Sequence, residues 1–277
     1  MSGPYRPEMT LAGLEPCHAA EVSDEFGELR QVQIAGERPL TLYLNKREIV
    51  TLMTLGGHPE LLALGYLRNQ RLIHELTDVR AVQADWETES VVVTTRGDVA
   101  SLEEKLGRRT VTTGCGQGTM FGDLMEDLER IRLPEVTIRQ STLYALLENL
   151  AARNEVYRSA GAVHGCALCR DTHVEFFVED VGRHNAVDAI AGHMWMEHME
   201  GGDRIFYTTG RLTSEMVIKV AQIGVPVLVS RSGVTQMGLD LARRLGVTMI
   251  ARAKGRHFLV FNGREQVVLD SPRARQI

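Results

Sequence analysis

Short apolar stretches broken by turn residues dominate the first hundred positions. Leu29–Ala35, Leu40–Asn45 and Arg47–Met53 read as strands with turns at Gly36 and Asn45. His58-Pro59-Glu60 then opens an apolar helix through Leu67, since proline is tolerated in a first helical turn. Val79–Ala84 and Ser90–Thr95 are further strands, so residues 28–109 are expected to form a small β-rich (α+β) domain. Ahead of it, residues 1–27 mix Pro, Gly and polar side chains without a period and predict a flexible tail containing Cys17. Residues 110–135 read as a mobile connecting loop region.

The pattern changes at Ser141, which can cap a helix running to about Arg153. Strand-like segments follow at Ala160–His164, His173–Val178, Arg204–Thr208, Pro226–Val229 and Val247–Ala251. Helices fit at Arg183–Glu197, Thr213–Ile223 and Thr235–Leu245. Such alternation predicts an α/β domain over 136–277, a mostly parallel sheet that receives ligands on the loops after its strands.

Composition narrows the picture. The 277 residues are 44% hydrophobic and 24% charged, with a net charge of -5, so no basic field points to nucleic acid and an anionic ligand must be held by local clusters. No apolar run reaches membrane-spanning length and Met1–Thr10 lacks the core of a secretory signal, so a cytoplasmic location is expected. Four cysteines are too few for a disulfide scaffold, which turns attention to reactive or metal-binding thiols.

Several loops carry candidate chemistry. Glu179-Asp180-Val181-Gly182-Arg183-His184-Asn185 joins a strand to a helix, where free amides, Gly182 and the Arg183–His184 pair make an anion seat; the plainer reading has Asp180 capping the helix and Arg183 pairing with Glu179. Thr208-Thr209-Gly210-Arg211 repeats the design before a Thr213 helix start, and Ser230-Arg231-Ser232-Gly233-Val234-Thr235 follows a third strand. The plainer reading of the former is an ordinary capping turn with Lys219 exposed. Arg252-Ala253-Lys254-Gly255-Arg256-His257 is a tight basic turn suited to a polyphosphate, or else solvated surface. Cys115 lies in Thr113-Gly114-Cys115-Gly116-Gln117-Gly118, where flanking glycines favour an accessible thiol over a packed one. His193 and His198 are five residues apart and do not share a helix face; Met194, Trp195, Met196 and Met199 around them read as packing, with a dimer contact as one use.

Glu-Asp-Val-Gly-Arg-His-Asn-Ala-Val-Asp at 179–188 and Gly-Arg-Leu-Thr-Ser-Glu-Met-Val-Ile-Lys at 210–219, with the Cys115 loop, resemble the formate dehydrogenase accessory protein FdhD family over most of the chain from about Leu29. The resemblance implies a cytidine-deaminase-like α/β domain, a homodimer and a sulfurtransferase of the carrier type. In that role a cysteine desulfurase passes sulfur to Cys115 as a persulfide. The sulfur then goes to a molybdenum (or tungsten) bis-molybdopterin guanine dinucleotide cofactor, a transient ligand destined for the formate dehydrogenase catalytic subunit. It also places Arg252, Lys254, Gly255, Arg256 and His257 where the family contacts that cofactor. Gly182, Arg183, His184, Gly210, Arg211, Ser230 and Thr235 complete the expected cradle. Several arginines on loops can hold phosphates without a globally basic surface.

Two departures stand out. Many family members carry Cys-x-x-Cys in the mobile loop, whereas this chain reads Cys115-Gly-Gln-Gly118, which removes a resolving thiol. A different Cys-x-x-Cys appears in His164-Gly165-Cys166-Ala167-Leu168-Cys169. Zinc deaminases place His-x-Glu and Pro-Cys-x-x-Cys at comparable points, and neither motif is intact here, since Cys166 stands in the Glu position. His164, Cys166 and Cys169 therefore remain a weak metal candidate, against the reading of two small thiols packed at a strand-to-helix junction. Three functions follow: the sulfur carrier, a binding-only guanine-nucleotide or pterin chaperone, and a metal hydrolase.

Overall fold

The computed structural model describes residues 3–97, 110–111, 118–119, 128 and 130–271. The chain divides into two compact units. The first gathers the chain up to Arg130 with Val156–His164 and Val178–Met199, and the second gathers Ile131–Glu155, Gly165–Phe177 and the chain from Glu200. This partition differs from the sequence boundary at 135, because the helix after the Glu179–Asn185 loop packs against the helix that begins at Pro59, in the first unit.

The first unit is built on a five-stranded sheet. Its strands are β1 (Glu8–Met9), β4 (Arg38–Leu44), β5 (Arg47–Thr54), β6 (Val79–Asp85) and β7 (Ser90–Thr95), in the order β1-β6-β7-β4-β5. Alternation fixes which face is buried: Leu40, Leu42 and Leu44 point inward while Pro39, Thr41 and Tyr43 do not. Two further strands, β2 (Cys17–Ser23) and β3 (Leu29–Ala35), form a separate antiparallel ribbon. The expectation of a flexible tail over 1–27 is therefore corrected. Met9 pairs with Val82, Thr10 donates its hydroxyl to Glu60 at 2.6 Å, and Trp86 donates its indole N–H to the carbonyl of Ala12. Polar side chains contributed by distant elements tie this segment down, a contact that no local period announces.

Helices α1 (Pro59–Asn69) and, later in the chain, Arg183–Met196 pack so closely that glycine is required at the crossing. A Cβ at Gly65 would stand 1.7 Å from the carbonyl oxygen of Asp188, and one at Gly192 would stand 2.0 Å from that of Leu61. Polar groups close the same contact: Asn69 donates to the fully buried Asp188 at 2.7 Å, and the Arg68 guanidinium lies 5.6 Å from the centre of the Trp195 ring. Met194 and Met196 are buried within the chain, so they belong to this core.

Two-residue strands β8 (Thr110–Val111) and β9 (Gly118–Thr119) pair antiparallel, and Cys115 between them lies outside the described residues. In the second unit, β10 (Ile138–Arg139) leads into α2 (Gln140–Arg153), followed by α3 (Glu155–Ser159) in the first. Ser141 does not cap α2; the helix begins at Gln140, and Ser141 bonds Asp270 through its amide and its hydroxyl. Leu143, Leu146, Leu147 and Leu150 make an inward stripe on α2 at helical spacing.

The second sheet has the order β12-β11-β13-β14-β15-β16. Its strands are β11 (His164–Arg170), β12 (His173–Asp180), β13 (Ile205–Thr208), β14 (Val227–Ser230), β15 (Thr248–Lys254) and β16 (His257–Asn262), and β17 (Val267–Val268) pairs with β10. The central β13, β14 and β15 are parallel, and antiparallel strands flank them on both sides. Further helices among the described residues are α4 (Arg183–Met196), α5 (Ser214–Gln222) and α6 (Gln236–Leu245). Among the described residues no helix is long and apolar enough to cross a membrane.

Gly65→Ala is expected to lower stability by about 1–3 kcal/mol, the usual range for overpacking, because helix backbone must move to admit the methyl group. Gly57→Ala, whose Cβ would meet nothing within 4 Å, is the control; urea midpoints of the two variants check this.

Candidate functional site

The second unit concentrates its polar loops at the C-terminal ends of β13, β14 and β15, where open parallel sheets receive ligands. Backbone groups leaving a sheet must find new partners, and here the loops satisfy one another. The amide of Arg231 donates to the carbonyl of Thr208 at 3.1 Å, that of Leu212 to Gly233 at 3.0 Å, and that of Arg252 to Ser232 at 2.9 Å. Loops 208–212 and 230–235 and the end of β15 are thereby stitched together, which brings Gly210, Arg211, Ser230, Thr235 and Arg252 into one cluster. Arg211 and Arg252 are exposed and Arg231 is half-buried. Arg252 takes a positive φ of 53° at an irregularity in the β15–β16 ladder, and Gly255, with φ 57°, closes the turn before His257. Lys254, Arg256 and His257 are exposed on this hairpin.

Two of the expected ligand residues have other duties. Thr235 is the N-cap of α6: its hydroxyl accepts from the Gly238 amide at 3.2 Å. Ser230 is fully buried, its Oγ donating to Gly210 O at 2.6 Å and accepting from the Ser232 amide at 2.9 Å. Lys219, read as exposed in the capping-turn alternative, is 3% exposed on α5. Thr208, named at the head of its loop but given no role by the sequence, holds the turn: its buried hydroxyl accepts from the Gly210 amide at 3.0 Å, and its position as the last residue of an apolar strand was the available signal.

The Glu179–Asn185 loop, with Gly182, Arg183 and His184, belongs to the first unit. Asp180 organises it. Its carboxylate accepts from the Thr54 hydroxyl at 2.5 Å, the Leu55 amide at 3.0 Å, the Gly182 amide at 2.9 Å and the Asn185 side-chain amide at 2.8 Å. Burial pushes this carboxyl above its usual range, and the donors pull it down. Asp180 does not cap α4 through its side chain; Gly182 is the N-cap, and Asn185 extends the knot to the carbonyl of Met53 at 2.6 Å. Glu179 accepts from the amides of Val156 and Tyr157, both at 2.9 Å, at the start of α3. Arg183 is half-buried and His184 buried. The Thr54–Leu55 contribution was missed because it comes from a strand end more than a hundred residues away in sequence.

His164, Cys166 and Cys169 do not assemble a metal site. All three lie within β11 rather than at a strand-to-helix junction, and residues three apart on a strand point to opposite faces. The Cys166 thiol donates to Thr208 Oγ1 at 3.2 Å, whereas Cys169 packs with Ile205, Tyr207 and Leu146 in the core under α2. Both are fully buried, and burial pushes the Cys169 thiol up to about 12. Among the described residues no group of three or more His, Cys, Asp and Glu side chains is placed to hold a metal ion.

These features define a mixed α/β protein that gathers basic side chains where parallel strands end, with a second polar knot at a helix start. The model of the FdhD/NarQ family matches residues 35–268, and the chain belongs to that family. It is 28% identical over 248 residues to the sulfur carrier protein FdhD of Bacillus subtilis, covering 88% of this chain and 94% of that one. The Wolinella succinogenes protein of the same name is 27% identical over 85% of this chain and 82% of its own. Among solved structures, a formate dehydrogenase accessory protein of Desulfotalea psychrophila superposes with a TM-score of 0.74 at 26% identity, covering 91% of this chain and 98% of that one.

Iodoacetamide added to the native protein is expected to leave Cys166 and Cys169 unmodified and to label them once denaturant is present, as peptide mass spectrometry will read. Burial also pushes the Tyr207 hydroxyl up to about 12, so the folded state keeps both protons at a pH where the unfolded chain releases them. The stability carried by these two groups is complete below their ordinary values of 9.0 and 10.0 and is lost as pH rises towards about 12; Cys169→Ala is expected to flatten that decline in denaturation curves.

Proposed function

We propose that this protein is a sulfurtransferase of the carrier type that serves formate dehydrogenase, with Cys115 as the carrying thiol. The Cys115 thiolate attacks the terminal sulfur of a persulfide on a cysteine desulfurase, a sulfur–sulfur bond forms as the donor's breaks, and the desulfurase thiolate leaves. The outer sulfur of the Cys115 persulfide then bonds to a reduced molybdenum or tungsten bis-molybdopterin guanine dinucleotide as its bond to the Cys115 sulfur breaks. The metal supplies the two electrons that take the sulfur to the sulfide level, Cys115 leaves as thiolate, and the cofactor goes on to the formate dehydrogenase catalytic subunit.

The observation that carries this reading is the exclusion of two competing thiols. Cys166 and Cys169 are sealed within β11 and have no route to a second protein, while Cys115 sits between glycines in the sequence interval bounded by β8 and β9. Membership in a family whose relatives are named sulfur carriers, and likeness to a formate dehydrogenase accessory protein, support the same chemistry.

Arg211, Arg231, Arg252, Lys254 and Arg256 supply charge for the cofactor's phosphates, with His257 beside them on the hairpin; in the first unit, Gly182, Arg183 and His184 offer a second anion-binding turn at the start of α4. The second unit is read as cytidine-deaminase-like in architecture, a reading compatible with a six-stranded sheet whose central strands are parallel. A homodimer in the cytoplasm completes the proposal.

Incubation with a cysteine desulfurase and cysteine is expected to add one sulfur to the Cys115 peptide in the mass spectrum, and Cys115→Ala is expected to abolish formate dehydrogenase maturation without altering the melting temperature. Normal maturation in that variant would overturn the proposal; cofactor binding with no sulfur adduct would favour a chaperone that protects the cofactor and transfers nothing.

A further inference from the structure

Arg211 and Arg231 each stand between two peptide groups held by hydrogen bonds, and one buried hydroxyl serves both. Beside Arg211, the Gly210 carbonyl accepts from Ser230 Oγ at 2.6 Å and the Leu212 amide donates to Gly233 O at 3.0 Å. Beside Arg231, the Arg231 amide donates to Thr208 O at 3.1 Å and the Ser232 amide donates to Ser230 Oγ at 2.9 Å. The Gly210 amide is also held, by Thr208 Oγ1 at 3.0 Å. With both flanking peptide planes fixed, the Cα–Cβ direction of each arginine is fixed too. Only side-chain torsions then remain to be ordered when an anion arrives, and that saving in entropy is what preorganisation contributes to affinity.

Ser230 itself is 0% exposed, its one O–H is given to Gly210 and a lone pair is taken by the Ser232 amide, so it has no donor left and is out of reach of a solvent-borne ligand. Its residue type was expected to mark a direct cofactor contact. The geometry gives it a different part: the hydroxyl locks loop 208–212 to loop 230–235, and register supports this, since Ser230 and Thr208 are direct partners across the parallel β13–β14 pair.

We infer that Ser230 is a positioning residue for an anion seat made by Arg211 and Arg231, acting through the Gly210 and Ser232 peptides rather than on the ligand. This rests on the reading that these loops receive the phosphates of a guanine dinucleotide. GDP is the probe, and calorimetric affinities of the full chain test it in a double-mutant cycle. Ser230→Ala is expected to weaken GDP binding about tenfold, the scale set by one lost buried hydrogen bond, while Ser230→Thr, which keeps the hydroxyl, binds nearly as the parent does. The loss should be sub-additive with Arg211→Ala, because the two changes remove one device. It should be additive with Lys254→Ala, whose hairpin Ser230 does not hold.

Far-UV circular dichroism checks that each variant is folded, and Ser230→Cys, of similar volume and weaker hydrogen bonding, replaces the alanine variant if that one fails to fold. Parent-like binding by Ser230→Ala, or a loss that adds in full to that of Arg211→Ala, overturns the positioning role alone. Absence of GDP binding by the parent chain overturns the phosphate reading and this inference with it.

Discussion

Everything at the open end of the second sheet depends on how its backbone hydrogen bonds are satisfied once the parallel ladder stops. Three strands end side by side, and each leaves amides and carbonyls that water would otherwise have to solvate. Their loops bond to one another in series, Thr208 to Arg231, Leu212 to Gly233 and Ser232 to Arg252, so the ladder continues as a network outside the sheet. Positive charge on such a scaffold costs little. The guanidinium groups of Arg211 and Arg252 stay in solvent, where they are not desolvated, while the peptides that aim them are buried or half-buried.

The first unit solves a comparable problem with a carboxylate. Asp180 gathers donors from the end of β5 and the start of α4, and fixes the turn from which Arg183 and His184 project. A buried acid with so many donors is tolerable because each hydrogen bond offsets part of its lost hydration. Helix α4 is held in turn by the glycine crossing with α1, where two helix backbones approach within contact distance. The Gly182–His184 turn is thus anchored at one end by charge and at the other by packing.

Sequence periodicity was a good guide where one face of an element is buried and a poor one elsewhere. Strands β4, β5, β6 and β7 and helix α6 fall within a few residues of the expected places because their side chains alternate or repeat against a core, while β3, which is almost wholly exposed, was located by the turn at Gly36. Strand β11 was displaced, expected at Ala160–His164 and found at His164–Arg170, because it is buried on both faces and reads as an unbroken run of small residues around two cysteines. The same thing hid the fate of the thiols: Cys-x-x-Cys suggests ligation on a helix or turn, while on a strand it sends the sulfurs to opposite faces. For the polar loops, residue type located the cluster but not the division of labour. Ser230 and Thr235 have the hydroxyls of ligand residues, and only the positions of the Gly210 carbonyl and the Gly238 amide reveal that both are committed to backbone.

On the proposal that Cys115 carries sulfur, glycine at position 118 bears on how that sulfur is kept. A neighbouring thiol in the loop would attack a persulfide on Cys115, expelling hydrosulfide and leaving an internal disulfide, which ends the transfer. Of the other cysteines, Cys166 and Cys169 are enclosed in the sheet, and Cys17 lies on the β2–β3 ribbon with its sulfur 3.7 Å from the Ser159 hydroxyl. A single-thiol loop therefore lacks the adjacent nucleophile that would discharge it. Under that proposal it also cannot pass sulfur along to a second loop position, so one sulfur atom would meet both donor and acceptor. Glycines stand at 114, 116 and 118 around that thiol in the sequence, so no side chain at those positions competes with it as a nucleophile.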